Sequence, residues 1–343
     1  LANMVYPSGR VLGYAYDAGG RIGAINADGA PLIGNITWQP FGAPRSWVQG
    51  NGRNVNRSFD LDGRMTAQDF EGGARTIGHD PDGRITAITA WGATNTFGYD
   101  HADRLNAQTH AGQTYGYVYD ANGNRATKTA PAGQTTYSYA GNTLQSLSGT
   151  EIGNLGHDPS GNLISDGPAG FVYDARNRLA QVPGASYGYD ATGLRVVKNS
   201  TIQGMRHYAH GPQREVLGEY DAASAIYETV YLGSTPVAVM KNGANHWIDA
   251  DQIDTPRVVR NATDHILWRW NSEAFGSTPA EENPSGLGAF EFNPRFPGQV
   301  FDRETDLPGP AALAVARLYA AVAAAVPAAM AKQYVDRGGE WLD

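Results

Sequence analysis

The sequence predicts an all-β fold in which tandem hairpins form one long coiled sheet. Three observations carry this prediction: an excess of glycine, a short turn motif that recurs along the chain, and alternating apolar and polar residues between the turns. The 343 residues include 43 Gly and 19 Pro, which is too many backbone breakers for a helical protein. The 10 Phe, 7 Trp and 18 Tyr supply enough buriable area to exclude a disordered chain.

The recurring motif is an aromatic residue followed by Asp, with Gly, Asp or Asn three positions after that Asp. One copy reads Tyr119-Asp120-Ala-Asn-Gly123. From Asp60 to Asp120, consecutive Asp residues of the motif are 20 residues apart, and Ala140 stands where the next Asp would fall. After position 140 the spacings shorten to 18 and then 16 residues. A degenerate copy is expected at 38–42. The Asp residues of the copies are Asp17, Asp60, Asp80, Asp100, Asp120, Asp158, Asp174 and Asp190.

Each copy has the chemistry of a tight turn. An Asp carboxylate can accept hydrogen bonds from backbone N–H groups two residues further on. The position three residues after the Asp holds Gly, Asp103 or Asn177, the residue types that tolerate a left-handed backbone. The motif therefore predicts a β-turn followed by a left-handed residue, which closes a hairpin with a bulge.

The segments between turns alternate in polarity, as strands with one buried face do. Clear examples are 115–119, 135–139 and 187–189. About ten such units predict roughly 20 strands, and at ~4.8 Å per strand the sheet would be ~95 Å wide. Because open sheets rarely exceed ~10 strands without curling, we expect a barrel, spiral or shell.

Composition also limits the partners. With 26 Lys and Arg against 34 Asp and Glu, the formal net charge is −8, which disfavours nucleic acid as a partner. The absence of Cys excludes disulfides and thiolate metal sites. The chain starts at Leu1 without the basic and apolar runs of a signal peptide, so we expect a fragment or processed product with any export signal upstream.

No residue is predicted to be catalytic, to bind a cofactor or to bind a metal. His207 and His210 are expected on a strand and turn, facing opposite sides. His79 and His157 stand in the aromatic slot of the motif, where a packing role is expected. The repeated Asp residues are spread one per hairpin, so turn capping is favoured over a calcium site. Carbohydrate binding by the Tyr and Trp residues remains an alternative.

The Tyr-Asp-x-x-Gly-Arg unit resembles the YD repeat of the bacterial RHS (rearrangement hotspot) family, which is related to teneurins and to shell subunits of insecticidal toxin complexes. The resemblance covers about residues 1 to 307. Three further segments, in the order of the family, resemble its core-associated region. These segments are 251–257, 268–276 and 296–307.

Two departures from the family pattern stand out. Asp254 and Asp306 occupy positions where the family usually has Gly. The family's Asp-Pro-x-Gly boundary motif, associated there with autoproteolysis, is not found after Leu307, so no catalytic residue is carried over. The resemblance implies three regions: a YD-repeat β-shell at 1–240, an RHS core-associated segment at 241–307 and a divergent Ala-rich tail at 308–343.

The tail is predicted to be helical, with Pro310 near its first turn and Pro327 breaking or kinking it. A short helix packed on or inside the shell is the favoured interpretation. A truncated or frame-shifted remnant of a toxin is an alternative. A membrane-active segment is disfavoured because Arg317 lies near the middle of the apolar run, and an independent enzyme of this length is least favoured.

The resemblance implies a structural shell of a polymorphic toxin, without catalysis or cofactor, that encloses a C-terminal toxin of its own or a neighbouring chain. It further implies export from the bacterial cytoplasm to the cell surface or medium, with a secretion apparatus or adaptor as partner. A surface adhesin that binds carbohydrate is the first alternative. A self-cleaving toxin is the second and is disfavoured.

Overall fold

A computed structural model describes residues 2–40 and 42–305. These residues form 29 β-strands and a single 3-10 turn at Arg303–Thr305, so the predicted all-β fold is confirmed. The predicted helical tail at 308–343 lies outside the described residues.

Residues 3–170 form an 18-stranded sheet, in which every strand pairs antiparallel with the next one along the chain. This simple meander follows from the short turns between strands. Its strands are β1 (Asn3–Val5), β2 (Val11–Tyr16), β3 (Ile22–Ala27), β4 (Ala30–Trp38), β5 (Pro44–Gln49), β6 (Asn54–Phe59), β7 (Met65–Phe70), β8 (Gly73–His79), β9 (Ile85–Ala90), β10 (Ala93–Tyr99), β11 (Leu105–His110), β12 (Gln113–Tyr119), β13 (Arg125–Ala130), β14 (Gly133–Ala140), β15 (Thr143–Gly149), β16 (Gly153–His157), β17 (Leu163–Asp166) and β18 (Ala169–Gly170).

Residues 172–269 form an 11-stranded sheet with the same antiparallel meander. Its first strand follows the last strand of the first sheet after one residue, Phe171. The strands are β19 (Val172–Tyr173), β20 (Leu179–Val182), β21 (Ala185–Tyr189), β22 (Arg195–Ser200), β23 (Gly204–His210), β24 (Val216–Tyr220), β25 (Ala225–Leu232), β26 (Thr235–Lys241), β27 (Ala244–Ala250), β28 (Pro256–Arg260) and β29 (Ile266–Arg269).

The predicted turns are confirmed at every copy of the motif. At Asp120, the backbone N–H of Asp120 donates to the carbonyl of Asn124 at 2.8 Å, and Gly123 donates back to Asp120 at 3.1 Å. The register then shifts by one residue between Val118 and Tyr119, which is the predicted bulge. All predicted left-handed positions have positive φ: Gly20, Gly63, Gly83, Asp103, Gly123, Gly161, Asn177 and Gly193.

The degenerate copies differ in how they turn. At 38–42 the same backbone bonds form, from Gln39 to the carbonyl of Ala43 and from Gly42 to that of Gln39. The Ala140 slot instead closes as a two-residue hairpin, with Ala140 paired to Thr143.

The strand count is higher than the sequence predicted: 29 strands rather than roughly 20. The hairpins continue after residue 190, where the Tyr-Asp pair occurs only at Tyr220-Asp221. The same turn recurs there with Arg214, Asp254 and Asp264 as its left-handed residues. The turn geometry therefore recurs at more positions than the Tyr-Asp pair by which the sequence identifies it.

The chain returns on itself, because the start of the first sheet packs against β24–β27 of the second. One hydrophobic core contains Leu12, Ile25 and Ile33 together with Val230 and Met240. Polar contacts support the same junction: the Tyr6 hydroxyl donates to the carbonyl of Thr229 at 2.8 Å, and the Trp247 indole donates to that of Leu32 at 2.9 Å. These contacts between distant segments confirm that the hairpin array coils.

A substitution at the left-handed turn position tests this description. Gly123→Ala places a Cβ at φ +86° and is expected to lower the free energy of unfolding by about 1–2 kcal/mol. The matched control is Gly116→Ala within β12, where an added Cβ would make an ordinary 3.8 Å contact with Thr129. Thermal unfolding followed by circular dichroism measures both; equal melting temperatures for the two variants would contradict the turn geometry.

Candidate functional site: the turn ladder and the strap

Three tyrosines that directly precede a motif Asp bind the backbone of their own hairpin: Tyr99, Tyr119 and Tyr189. Each hydroxyl donates to a backbone carbonyl at the start of the preceding hairpin strand, as from Tyr119 to Leu105 at 2.8 Å. The sequence marked this slot as aromatic but could not reveal the hydrogen bond. The same bond joins Tyr99 to Ile85 and Tyr189 to Leu179. It also forms at two tyrosines that no Asp follows, from Tyr139 to Arg125 and from Tyr231 to Val216.

The arginine four residues after the Asp connects one turn to the next. Arg104 donates through Nε to Asp100 Oδ2 at 2.8 Å and through Nη1 to the carbonyl of Asp120 at 3.3 Å. Its guanidinium also stacks 4.7 Å from the centre of the Tyr119 ring. Arg178 repeats the arrangement with Asp174, Asp190 and Tyr189. We call this series of contacts the Asp-Arg-Tyr ladder.

The ladder explains the acidity of its carboxylates. The side-chain hydrogen bond from Arg178, followed by its backbone N–H, lowers the pKa of Asp174 to about 2. The side-chain hydrogen bond from Arg104 likewise lowers the pKa of Asp100, and that from Asn124 lowers the pKa of Asp120. The hydrogen bonds within each turn thus stabilise the charged form of its Asp.

These shifts predict a loss of stability in acid. Because the pKa of each Asp is lower in the folded state, its contribution is present above the unfolded value and disappears as pH falls through the folded value, between about pH 4 and 2. Melting temperatures from pH 5 to 2 should therefore fall steeply. The combined variant Asp100→Asn, Asp120→Asn and Asp174→Asn should show a shallower fall, and identical pH profiles would refute the ladder's charge dependence.

The other residues considered from the sequence do not converge on a metal site. His207 is exposed, whereas His210 occupies the aromatic slot with its Nε2 2.9 Å from the carbonyl of Arg195. His79 and His157 end strands β8 and β16, and burial lowers the pKa of both. In the described part of the chain, no three His, Asp or Glu side chains are grouped to hold a metal ion.

Residues 270–305, here called the strap, leave the second sheet and pack back against it without forming a strand. Phe290 and Phe292 of the strap join a core with Tyr227, Val239 and Trp268. The Phe292 ring meets Tyr227 and Trp268 edge-on, with centroid distances of 5.2 and 5.3 Å. Aromatic pairs in this geometry add attraction beyond the area that they bury.

The strap also reaches the first sheet. Phe275 packs edge-on against Tyr117 at 5.0 Å, and the Arg125 guanidinium lies 5.2 Å from the Phe275 ring. The N–H of Ala274 donates to Gln108 at 3.1 Å. The neighbouring Gly276 is left-handed, and a Cβ there would lie 2.7 Å from the Phe296 ring. This close approach accounts for the Phe-Gly pair in the core-associated motif.

Arginines enclosed by aromatic rings hold the middle of the strap. The Arg295 guanidinium lies 4.7 Å from the Phe301 ring and 5.3 Å from the Trp268 ring. Its Nη1 donates to the carbonyls of Phe292 and Pro294, each at 3.0 Å. These hydrogen bonds and ring contacts offset the free-energy cost of burying the Arg295 charge.

The first core-associated segment proves to be another copy of the turn. Asp251 accepts hydrogen bonds from the N–H groups of Ile253 and Thr255, each at 3.0 Å, and Asp254 is left-handed at φ +61°. This conformation explains the family's usual Gly. Here the Asp254 carboxylate accepts a 2.7 Å hydrogen bond from Thr235, a bond that Gly could not make.

The end of the strap is fixed by buried charges. The Lys198 side chain is 0% exposed, and its Nζ lies 3.1 Å from Glu304 and 3.3 Å from Asp302. Arg195 also binds Asp302 at 2.5 Å. Nearby, Asn293 donates to the buried Glu219 at 2.8 Å, and burial raises the pKa of Glu219. None of these pairings was visible in the sequence.

Removing the buried cation should loosen the strap. Lys198→Ala leaves the buried Glu304 carboxylate without its ion-pair partner and is expected to cost about 3–5 kcal/mol of unfolding free energy. The matched control, Lys128→Ala, removes a partly exposed pair with Glu151 and should cost at most about 1 kcal/mol. Chemical denaturation measures both; a loss as small as that of the control would contradict the anchoring role of Lys198.

Comparison with known proteins agrees with this architecture. The family model of the Teneurin YD-shell matches residues 68–308. The chain belongs to this YD-shell family. No curated protein sequence matches it. No helix in 2–40 and 42–305 is long and apolar enough to cross a membrane.

Solved structures share the YD-shell fold at low identity. A TcdB2-TccC3 structure without its hypervariable C-terminal region is 15% identical, with a TM-score of 0.71 over 89% of this chain and 19% of that chain. A Photorhabdus luminescens Tc holotoxin pore is also 15% identical, with a TM-score of 0.65 over 80% of this chain and 17% of that chain. The chain therefore spans less than a fifth of these structures.

Proposed function

We propose that the chain forms part of the wall of a protein shell that encloses the toxin of an RHS polymorphic toxin. The observation that carries the proposal is the pair of long antiparallel meanders, coiled so that the first strands of one sheet pack against β24–β27 of the other, with the strap packed on the second sheet. Such a wall separates two volumes sterically. The proposed regions are the β-shell at 1–240, the core-associated segment at 241–307 and the divergent tail at 308–343.

The proposed partner is a C-terminal toxin, on this chain or a neighbouring one, and the proposed location is outside the bacterial cytoplasm, reached with a secretion apparatus or adaptor. Support comes from the YD-shell membership and from the solved TcdB2-TccC3 and Tc holotoxin structures that share the fold. The ladder and the strap suit this role, because both join neighbouring strands into one stiff wall.

The contacts of the tyrosines in the repeated motif favour enclosure of a toxin over carbohydrate binding. The rings of Tyr99, Tyr119 and Tyr189 are stacked by arginines at 4.7 to 5.3 Å, and their hydroxyls are bonded to backbone carbonyls. A sugar needs an open ring face on which to stack. These aromatic residues serve the wall instead.

A protected reporter tests the shell. A protease-sensitive peptide appended after Asp343 should be cut more slowly in the native chain than as a free peptide. Lys198→Ala should speed its cleavage because the strap loosens, whereas Lys128→Ala should not. Equal cleavage rates for the native chain and the free peptide would overturn enclosure by this chain.

We further propose that the chain acts without catalysis. Asp302 is bound by both Arg195 and Lys198, a setting that suits an anchor. Intact mass spectrometry of the purified chain should give one uncut species. A cut near Leu307 that Asp302→Ala abolishes would instead support the self-cleaving alternative.

A further inference from the structure

One turn of the second sheet keeps the geometry of the repeated motif but changes its charged residues. Between β23 and β24, the N–H of Gly211 donates to the carbonyl of Glu215 at 2.9 Å, and Arg214 is the left-handed residue at φ +67°. Gly211 therefore stands at the Asp position of the motif. Glu215 stands four residues later, at the position that Arg104 and Arg178 fill in the Asp-Arg-Tyr ladder. An acid thus replaces the cation of the ladder at this turn.

The Glu215 carboxylate takes over the hydrogen bonding of the absent Asp. Its Oε2 accepts the N–H of Gln213 at 2.8 Å, as Asp120 accepts that of Asn122 at 2.9 Å. A Cβ on Gly211 would collide with the same carboxylate, because the Glu215 side chain lies over the glycine. Among the described residues, no Lys, Arg or His forms an ion pair with this carboxylate, so the turn is capped without the guanidinium of a ladder turn.

A pocket of about 210 Å³ lies beside Glu215, where the start of the first sheet packs against the second. Four tyrosines contribute to its walls: Tyr6, Tyr14 and Tyr16 near the chain start and Tyr231 from β25. Tyr14 and Tyr231 pack against the core that joins the two sheets, whereas Tyr16 is 46% exposed, so the pocket is open to solvent. Of the described residues that line this tyrosine pocket, Glu215 supplies the one carboxylate.

This combination of aromatic rings and a carboxylate is suited to a guanidinium. In the ladder, the Nε of Arg104 lies 2.8 Å from Asp100 Oδ2, and its guanidinium lies 4.7 Å from the centre of the Tyr119 ring. Ring faces attract a cation, and a carboxylate adds charge-assisted hydrogen bonds. The pocket is smaller than the ~300–1,000 Å³ of sites for drug-sized ligands, so it suits a group of the size of one side chain.

We propose that the tyrosine pocket binds the guanidinium of an arginine side chain from a partner polypeptide. The occupant is set by charge complementarity with Glu215 and by the ladder, in which a guanidinium bound to a carboxylate and a tyrosine ring recurs. Arg214 of the same turn does not supply it, because its Nη2 donates to the carbonyl of Thr192 at 3.2 Å. Because the pocket holds one side chain and opens beside Tyr16, the partner's backbone stays outside. The proposal goes beyond the shell function and does not rest on it.

Isothermal titration calorimetry of the full chain tests the site, with the capped tripeptide Ala-Arg-Ala as the probe. The same peptide with citrulline in place of arginine keeps the shape and removes the charge, so it should bind at least about tenfold more weakly. Glu215→Gln keeps an oxygen for the N–H of Gln213 and should weaken binding of the arginine peptide about tenfold. The control Glu281→Gln, which removes an exposed carboxylate paired with Arg269, should leave the affinity unchanged.

A double variant, Gly211→Asp with Glu215→Arg, supplies the cation from the chain itself. It restores the Asp and the Arg of the ladder motif, so the built-in guanidinium should occupy the pocket and abolish peptide binding while the melting temperature is retained. No binding of the arginine peptide to the native chain, equal binding of the citrulline peptide, or an unchanged affinity in either Glu215 variant would overturn the proposal. The reporter-protection experiment reads out enclosure separately, so failure here would leave the shell proposal standing.

Discussion

The structure depends on one local constraint: a left-handed residue three positions after an Asp whose carboxylate is bound by its own turn. The constraint fixes a bulged hairpin wherever it occurs, and its repetition makes neighbouring strands pair in chain order. The Arg four residues after the Asp then extends the turn into the next unit. A local backbone preference thereby becomes two long sheets of paired strands.

Much of this could be predicted, because the turn is encoded within five adjacent residues. The left-handed positions, the strands and the coiling all follow from it. The later hairpins were undercounted because Arg214 and Asp264 adopt the same conformation without a Tyr-Asp pair before them. Backbone geometry is shared more widely than side-chain identity, so a motif search underestimates the repeat.

The strap could not be derived in the same way, since its contacts join residues far apart in the chain. Phe275 meets Tyr117, and Glu304 meets Lys198; neither pairing has a periodic signal. The resemblance marked 268–276 and 296–307 as a motif without saying why. Their aromatic rings and acids are the contacts through which a segment without strands is held on two sheets.

The strap also limits the length of the hairpin array between its two points of attachment. One part of it is fixed at β12 and β13 through Phe275, and its end is fixed at β22 through Asp302 and Glu304. Adding a hairpin between these anchors would stretch the distance that a fixed stretch of chain must bridge. The number of repeats between them is thereby under a geometric constraint that strand pairing alone does not impose.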